Sequence, residues 1–389
     1  MNFKIADKQI GKHHPVFFIA DIASNHGGDL EKAKELIFAC SDSGVDAIKM
    51  QNFSADTIVS DYGFKNLTNV NTHQSTWKTS VDESYKAASI PFEWTLELKE
   101  LSESLGLAYF TSPYSIELVR MVEPYVSAFK LGSGDITWHE EISEMASYDK
   151  PLIIATGASN LDEVKLAVEV ALSKTSNLLL MQCNTNYTAS KDEERKTTEE
   201  RLRHVNLKVL ETYSGIWPNM PLGLSDHTHG ALTVLGAVGL FDCAAVEKHF
   251  TLDSSQEGQD HSFSMMPGEW KEMVTKTKEL KERLVNASDY NEKYQITKDF
   301  VDEPELLDLC IGDGEKKIEK NEINTVIVQR RSIRVGRDMK RGENIKRDDL
   351  IVLRPCPKDG IPPYEMDNVV GSKLKKNIKK GDHLTKEHL

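Results

Sequence analysis

Cysteine is scarce in this chain of 389 residues: there are five, Cys40, Cys183, Cys243, Cys310 and Cys356, with none in a CxxC pair. Disulfide frameworks and structural zinc sites need paired thiols, so the count argues against both and fits a reducing compartment. Long apolar runs are lacking too. None approaches the ~20 residues that a membrane-spanning helix requires. The N-terminus, MNFKIADKQIGKHH, has no continuous apolar stretch of the kind a secretory leader carries, so the expected location is the cytoplasm. Positive charge is short, with 48 Lys and Arg against 61 Asp and Glu, a net of −13. That balance argues against nucleic acid as a partner. The deficit is uneven, because Val326–Leu389 carries 16 basic and 9 acidic residues. A basic tail on an acidic body suggests two modules that touch.

Eight short apolar runs are present in the first 250 residues: Phe17–Ala23, Asp46–Gln51, Ala108–Pro113, Ala128–Gly134, Pro151–Gly157, Leu178–Asn184, Pro221–His227 and Ala244–Phe250. They are apolar without alternation, as strands of a parallel sheet buried on both faces are. Helical stretches with caps lie between them. Asp29 precedes a Leu/Ala/Leu/Ile stripe closed by Gly44, Asn160 precedes an acidic first turn, and the helix from Thr95 ends at Gly106. Eight such units predict an α/β fold, a (β/α)8 TIM barrel. The rival is a doubly wound sheet, but no GxGxxG follows the first strand. The runs also turn polar towards their ends, where barrel enzymes place their chemistry.

The predicted organisation is a barrel over residues 1–290, a linker over 291–325 and a small β-rich domain over 326–389. In that tail, Met339–Leu350 and Ile378–Leu389 align without gaps at an offset of 39, which implies internal pseudo-symmetry. Two polar stretches, Asp56–Ser89 and Tyr187–Arg203, read as long loops on the catalytic face.

His227 follows the seventh run and His249 ends the eighth, so in a barrel the two imidazoles converge as ligands for one divalent ion. The competing reading is a pair of buried, hydrogen-bonded histidines. Lys49 and Lys130 lie in apolar contexts in the second and fourth runs. With Ser112, Ser133, Thr156, Ser225 and the Gly132 and Gly134 backbone, they suit a small phosphorylated anion. A lysine aimed into a barrel also fits Schiff-base chemistry. Asp21, Asp135 and Asp260 are candidates for proton transfer.

The motifs IADIASNHGG, AIKMQ, KLGSGD, GLSDHT, EKHFT and GQDHSFS, in this order, resemble the N-acetylneuraminate (sialic acid) synthase family. RRSIRVGRDMKRGE and LRPCPKDGIPP resemble that family's C-terminal antifreeze-like SAF domain, a β-clip. The resemblance implies condensation of phosphoenolpyruvate with an N-acetylated mannosamine-type sugar, first of all N-acetylmannosamine. The products would be a nine-carbon sugar acid and phosphate, used in cell-surface polysaccharide. It implies a divalent ion, Mn²⁺ first and Mg²⁺ or Co²⁺ as alternatives, on His227 and His249. It places phosphoenolpyruvate on Lys49, Ser112, Lys130, Ser133 and Ser225, and the amino sugar near Gln51, Asp135, Tyr187 and Asp260. It assigns Asp21 a proton-transfer role, and it has Arg354 reach the barrel of a partner subunit in a domain-swapped homodimer.

Departures from the family pattern fall near the sugar and phosphate. Asp21 stands where Glu is usual, Ala155 where Ser often holds phosphate, and CNTNYTAS replaces C-T/S-x-Y-P. Legionaminic and pseudaminic acid synthases are therefore alternative readings. A lysine Schiff-base aldolase and a barrel that has become a non-catalytic scaffold are further ones.

Overall fold

The computed structural model describes residues 3–67, 79–185 and 195–389, with side chains in the last segment described from 199 onward. A short antiparallel hairpin, β1 (Phe3–Ile5) and β2 (Lys8–Ile10), precedes the first apolar run. The eight runs then become eight parallel strands. These are β3 (Phe17–Asp21), β4 (Ala47–Asn52), β5 (Ala108–Pro113), β6 (Phe129–Leu131), β7 (Leu152–Ala155), β8 (Leu178–Cys183), β9 (Leu222–Asp226) and β10 (Ala245–His249). They close in sequence order, with β10 pairing β3. The fold is a (β/α)8 barrel.

Register decides what faces inward. Asp21 pairs with Lys49, Gln51 with Ser112, and Glu247 with Ser225. Side chains alternate along a strand, so one residue of slip would turn each of these outward. The outward set is equally specific. Asp226 and Lys248 pair at 2.5 Å behind the barrel wall, and Thr111 donates to Asn52 there. Asp226, polar at a strand end, thus serves the wall and not the mouth.

The helix Leu30–Asp42 is capped by Asp29, whose carboxylate accepts from the Glu31 and Lys32 amides. Asn160 and Glu163 form a capping box on Leu161–Leu172. Residues 291–325, expected as a linker, are mostly packed structure. Helices Tyr290–Phe300 and Pro304–Ile311 join Leu232–Phe241 around Leu235, Leu240, Leu280, Val301 and Leu307. Their apolar residues sit among many charges, which hides the stripe from a periodicity count. Only the stretch from Gly312 to Gln329 crosses between domains.

The C-terminal domain pairs β11 (Ser332–Val335) with β12 (Leu350–Leu353). Its two repeats meet where Met339 and Ile378 exchange both backbone hydrogen bonds at 2.9 Å. Gly342 and Gly381, equivalent in the repeat, hold φ of 94° and 88°. A side chain would be strained there, which is why both copies keep glycine. The domain's apolar core admits Trp138 from the barrel.

Candidate active site

A cleft opens at the C-terminal ends of the strands. Its wall includes Asp21, Lys49, Gln51, Lys130, Ser133, Ser225, Glu247, Asp260, both histidines and Arg354. The structure thus gathers most of the sequence-read residues in one place.

The floor is a charge lattice. Lys49 Nζ lies 2.7 Å from Asp21 Oδ2 and 2.9 Å from Glu247 Oε1. Lys130 Nζ donates to both Glu247 oxygens, at 2.7 and 2.8 Å. An ammonium has three donors, and among the described residues each lysine uses two, which leaves one for an incoming anion. Burial alone would raise the Glu247 carboxyl, but Lys130 and Lys49 outweigh it and hold it well below the usual range. Burial would likewise pull Lys49 down, but Asp21 and Glu247 hold it up. Burial lowers Lys130 and raises Asp21, with Lys49 opposing the rise. Asp21 also accepts from the Ala23 amide at 3.0 Å and from Gln51 at 3.1 Å.

Glu247 is the site residue that sequence reasoning left without a role. The signal was available: it sits two residues before His249 and so shares that residue's inward face.

The histidine rings lie 5.4 Å apart between centroids. His227 Nδ1 is 3.1 Å from the Asn184 carbonyl, which it meets only as a donor, so the ring's lone pair is on Nε2. Among the described residues, the buried His249 Nδ1 has no hydrogen-bond partner, and its Nε2 lies 3.5 Å from Asp21. Burial pushes His249 down to about 3 and lowers His227 as well. Both rings are neutral near pH 7, the form that ligates metal ions. Among the described residues, no cluster of three or more His, Cys, Asp or Glu is preformed for an ion.

The remaining sequence-read residues separate. Ser133 bonds the Thr185 hydroxyl at 2.9 Å on the wall. Ser225 reaches Glu247 at 3.4 Å. Asp260 accepts from the Ser24 amide and hydroxyl. Ser112 is buried with its hydroxyl unpartnered and lies outside the wall residues. Thr156 is a correction: its hydroxyl donates to the Met181 carbonyl and accepts from Tyr213, on the outer face of the strand line. Asp135 is another, since it lies behind the wall as an anchor for two arginines. It accepts from Arg331 at 2.8 Å and from Arg354 at 3.3 Å. Tyr187 lies outside the described residues.

Arg354 lies at the mouth of its own chain's barrel. Its backbone pairs with Val59, through Arg354 N to Ile58 O at 3.0 Å and Ser60 N to Arg354 O at 2.8 Å. Its guanidinium lies over Tyr114 and bonds Gln329 at 2.7 Å. The described part of the long loop after β4 thus becomes wall and seam at once, since Ile58 and Tyr85 also line the cleft.

Barrel, charged mouth and C-terminal domain together define a class, the closed (β/α)8 barrels whose cleft is completed by a small β-rich C-terminal domain. Residues 36–289 match the NeuB family and residues 330–389 match the SAF domain, and the chain belongs to the NeuB family. It is 34% identical over 394 residues to the N,N'-diacetyllegionaminic acid synthase of Legionella pneumophila, covering 98% of this chain and 97% of that protein. It is 26% identical to the human N-acetylneuraminate-9-phosphate synthase, covering 97% and 94%. The crystal structure of the spore coat polysaccharide biosynthesis protein SpsE from Bacillus subtilis superposes with a TM-score of 0.78 at 25% identity, covering 100% of this chain and 99% of that one.

Proposed function

We propose that this protein condenses phosphoenolpyruvate with an N-acylated mannosamine-type aldose, N-acetylmannosamine in the first instance. The products are a nine-carbon 2-keto sugar acid and phosphate. The observation that carries the reading is the convergence of Lys49 and Lys130 on Glu247 at the floor of a cleft rimmed by hydroxyls. Such a floor offers fixed donors to a carboxylate and a phosphate together.

The steps balance as follows. The methylene carbon of phosphoenolpyruvate attacks the aldehyde carbon and forms the carbon–carbon bond. Water adds to the enol carbon left electron-poor. The tetrahedral adduct then loses phosphate by breaking its carbon–oxygen bond, leaving the ketone. One water proton ends on the new sugar hydroxyl and the other on phosphate. Asp21 takes the water's proton, its carboxylate being held at the floor by Lys49 and Gln51. Arg354 and Asp260, both in the wall of the cleft, would contact the sugar.

His227 and His249 would hold a divalent ion, Mn²⁺ first. Their neutral rings and the unpartnered Nδ1 of His249 fit that role. Bound there, the ion would polarise the aldehyde. Charge supports it as well. The wall's Lys49, Lys130 and Arg354 are matched by Asp21, Glu247 and Asp260, so a highly anionic substrate needs an added cation.

The relative at 34% identity favours a second acceptor, the 2,4-diacetamido sugar of the legionaminic route. The test is phosphate release from phosphoenolpyruvate with Mn²⁺ against N-acetylmannosamine, mannose and the 2,4-diacetamido sugars of the legionaminic and pseudaminic routes. Turnover with one N-acyl sugar, abolished by a chelator, is expected. Release that is independent of sugar, or borohydride trapping of pyruvate on a lysine, would overturn the reading.

A further inference from the structure

The interdomain stretch meets the rim after β8 through two consecutive residues. Glu322 is fully buried, and its Oε1 accepts from the Ala158 amide at 2.8 Å and the Thr185 amide at 2.6 Å. Its other oxygen accepts from the Glu319 amide at 3.1 Å. Asn321 exchanges two side-chain hydrogen bonds with Asn184, at 3.1 and 2.8 Å. Asn184 and Thr185 are the residues that follow β8. The first offers its carbonyl to His227, and the second offers its hydroxyl to Ser133.

Geometry leaves this contact little slack. A Cβ on Gly157 would fall 1.6 Å from the Thr185 hydroxyl oxygen, so Thr185 is pressed onto the β7 loop from one side and held by Glu322 from the other. Ala158 adopts a φ of 49°, a left-handed conformation that a non-glycine residue keeps only where its surroundings hold it. The Glu322 carboxylate is the partner that its amide finds there. Seven residues on, the same stretch ends at Gln329, whose side chain receives Arg354 at 2.7 Å and whose carbonyl oxygen would lie 2.4 Å from a Cβ on Gly134.

We propose that Glu322 is a positioning residue: as part of a strap between the two domains, it fixes the β7 and β8 rim, and through Thr185 the Ser133 hydroxyl, in register with Arg354. The strap thereby ties the seating of the SAF domain to the phosphate side of the cleft. The catalytic part of this proposal rests on the reading above that Ser133 faces phosphoenolpyruvate.

The test has two arms on the full-length chain. In the first, backbone amide exchange is compared between wild type and Glu322→Gln, a variant that keeps the volume but turns a donor on the Glu319 amide. Exchange at Thr185 and Ala158 should rise at least ~10-fold, while amides of β3 and β4 keep their protection. In the second, Glu322→Gln should lower kcat and raise KM for phosphoenolpyruvate, together ~10–100-fold, with KM for the sugar nearly unchanged. Glu163→Gln breaks the Arg330 contact at the neighbouring helix cap and leaves this chain of bonds intact. It should lower Tm without moving KM for phosphoenolpyruvate. Thr185→Val combined with Glu322→Gln should cost no more than the larger single change, because both act on one path. Unchanged exchange at Thr185 and Ala158 overturns the strap's hold on the rim. Equal kinetic effects of Glu163→Gln and Glu322→Gln overturn the positioning role. A wild type that turns over no phosphoenolpyruvate overturns the functional reading instead, and the exchange arm still decides the strap.

Discussion

Two carboxylates share the floor of the cleft and differ in what they can do. Glu247 is locked between two ammonium groups and held well below its ordinary range, so it stays ionised and structural in its electrostatics. Asp21 is raised by burial and shares only Lys49, so it is the one of the pair able to exchange a proton. Asp21→Asn should therefore reduce phosphate release ~10²–10⁴-fold with little change in Tm. Glu247→Ala should do the opposite in kind. It leaves buried Lys130 without its carboxylate and Lys49 with Asp21 alone, and should cost about 3–5 kcal/mol in denaturant unfolding, besides activity. If Asp21→Asn kept most of the rate, the proton-transfer role would move elsewhere.

At the scale of elements, the strands were legible and the inserts were not. All eight apolar runs became strands, each within two residues of the boundaries read at its start, because buried parallel strands leave an uninterrupted apolar signature. The direction of each run also marked the end at which the cleft opens, where Lys49, Ser225 and His249 stand. Thr156 misled because polarity at a strand end does not tell which face a side chain takes, and only the register supplies that. Glu322's hold on the rim gave no local signal, since the two rim amides it accepts from belong to residues more than 130 positions away. The packed helices at 290–311 were missed for their charge. Leu307 is their fully buried anchor, and Leu307→Ala should cost about 2–5 kcal/mol if the segment belongs to the fold. A change below ~0.5 kcal/mol in chemical denaturation would mark it as a linker after all.

For the whole molecule, the seam between barrel and SAF domain is an ionic latch. Asp135 receives Arg331 and Arg354, and Arg331 also binds the Thr57, Tyr114 and Val352 carbonyls while lying 4.6 Å from the Trp138 ring centre. Burial alone would raise Asp135, but the two guanidinium groups hold it below the ordinary aspartate range. A depressed folded-state value stabilises above the unfolded value, ~3.9, and that contribution is lost as pH falls through the folded one. Asp135→Asn should thus lower Tm strongly at pH 7 and progressively less in acid below ~pH 3.9. A gap that stays constant with pH would contradict the latch. Arg354→Ala should raise KM for the sugar while sparing phosphoenolpyruvate. The basic tail and acidic body seen in composition find part of their meaning at this seam, though only two of the tail's cations reach Asp135.

The measurement that bears most directly on the central claim follows the bridging oxygen of phosphoenolpyruvate. With that oxygen labelled as ¹⁸O, and with Mn²⁺ and a productive N-acyl aldose present, the reaction proposed here breaks the carbon–oxygen bond. The label should then leave with phosphate, and the nine-carbon acid should carry a solvent oxygen at its ketone before exchange. Label retained in an organic product, with unlabelled phosphate, would mean phosphorus–oxygen cleavage and would contradict water addition at the enol carbon and the role given to Asp21.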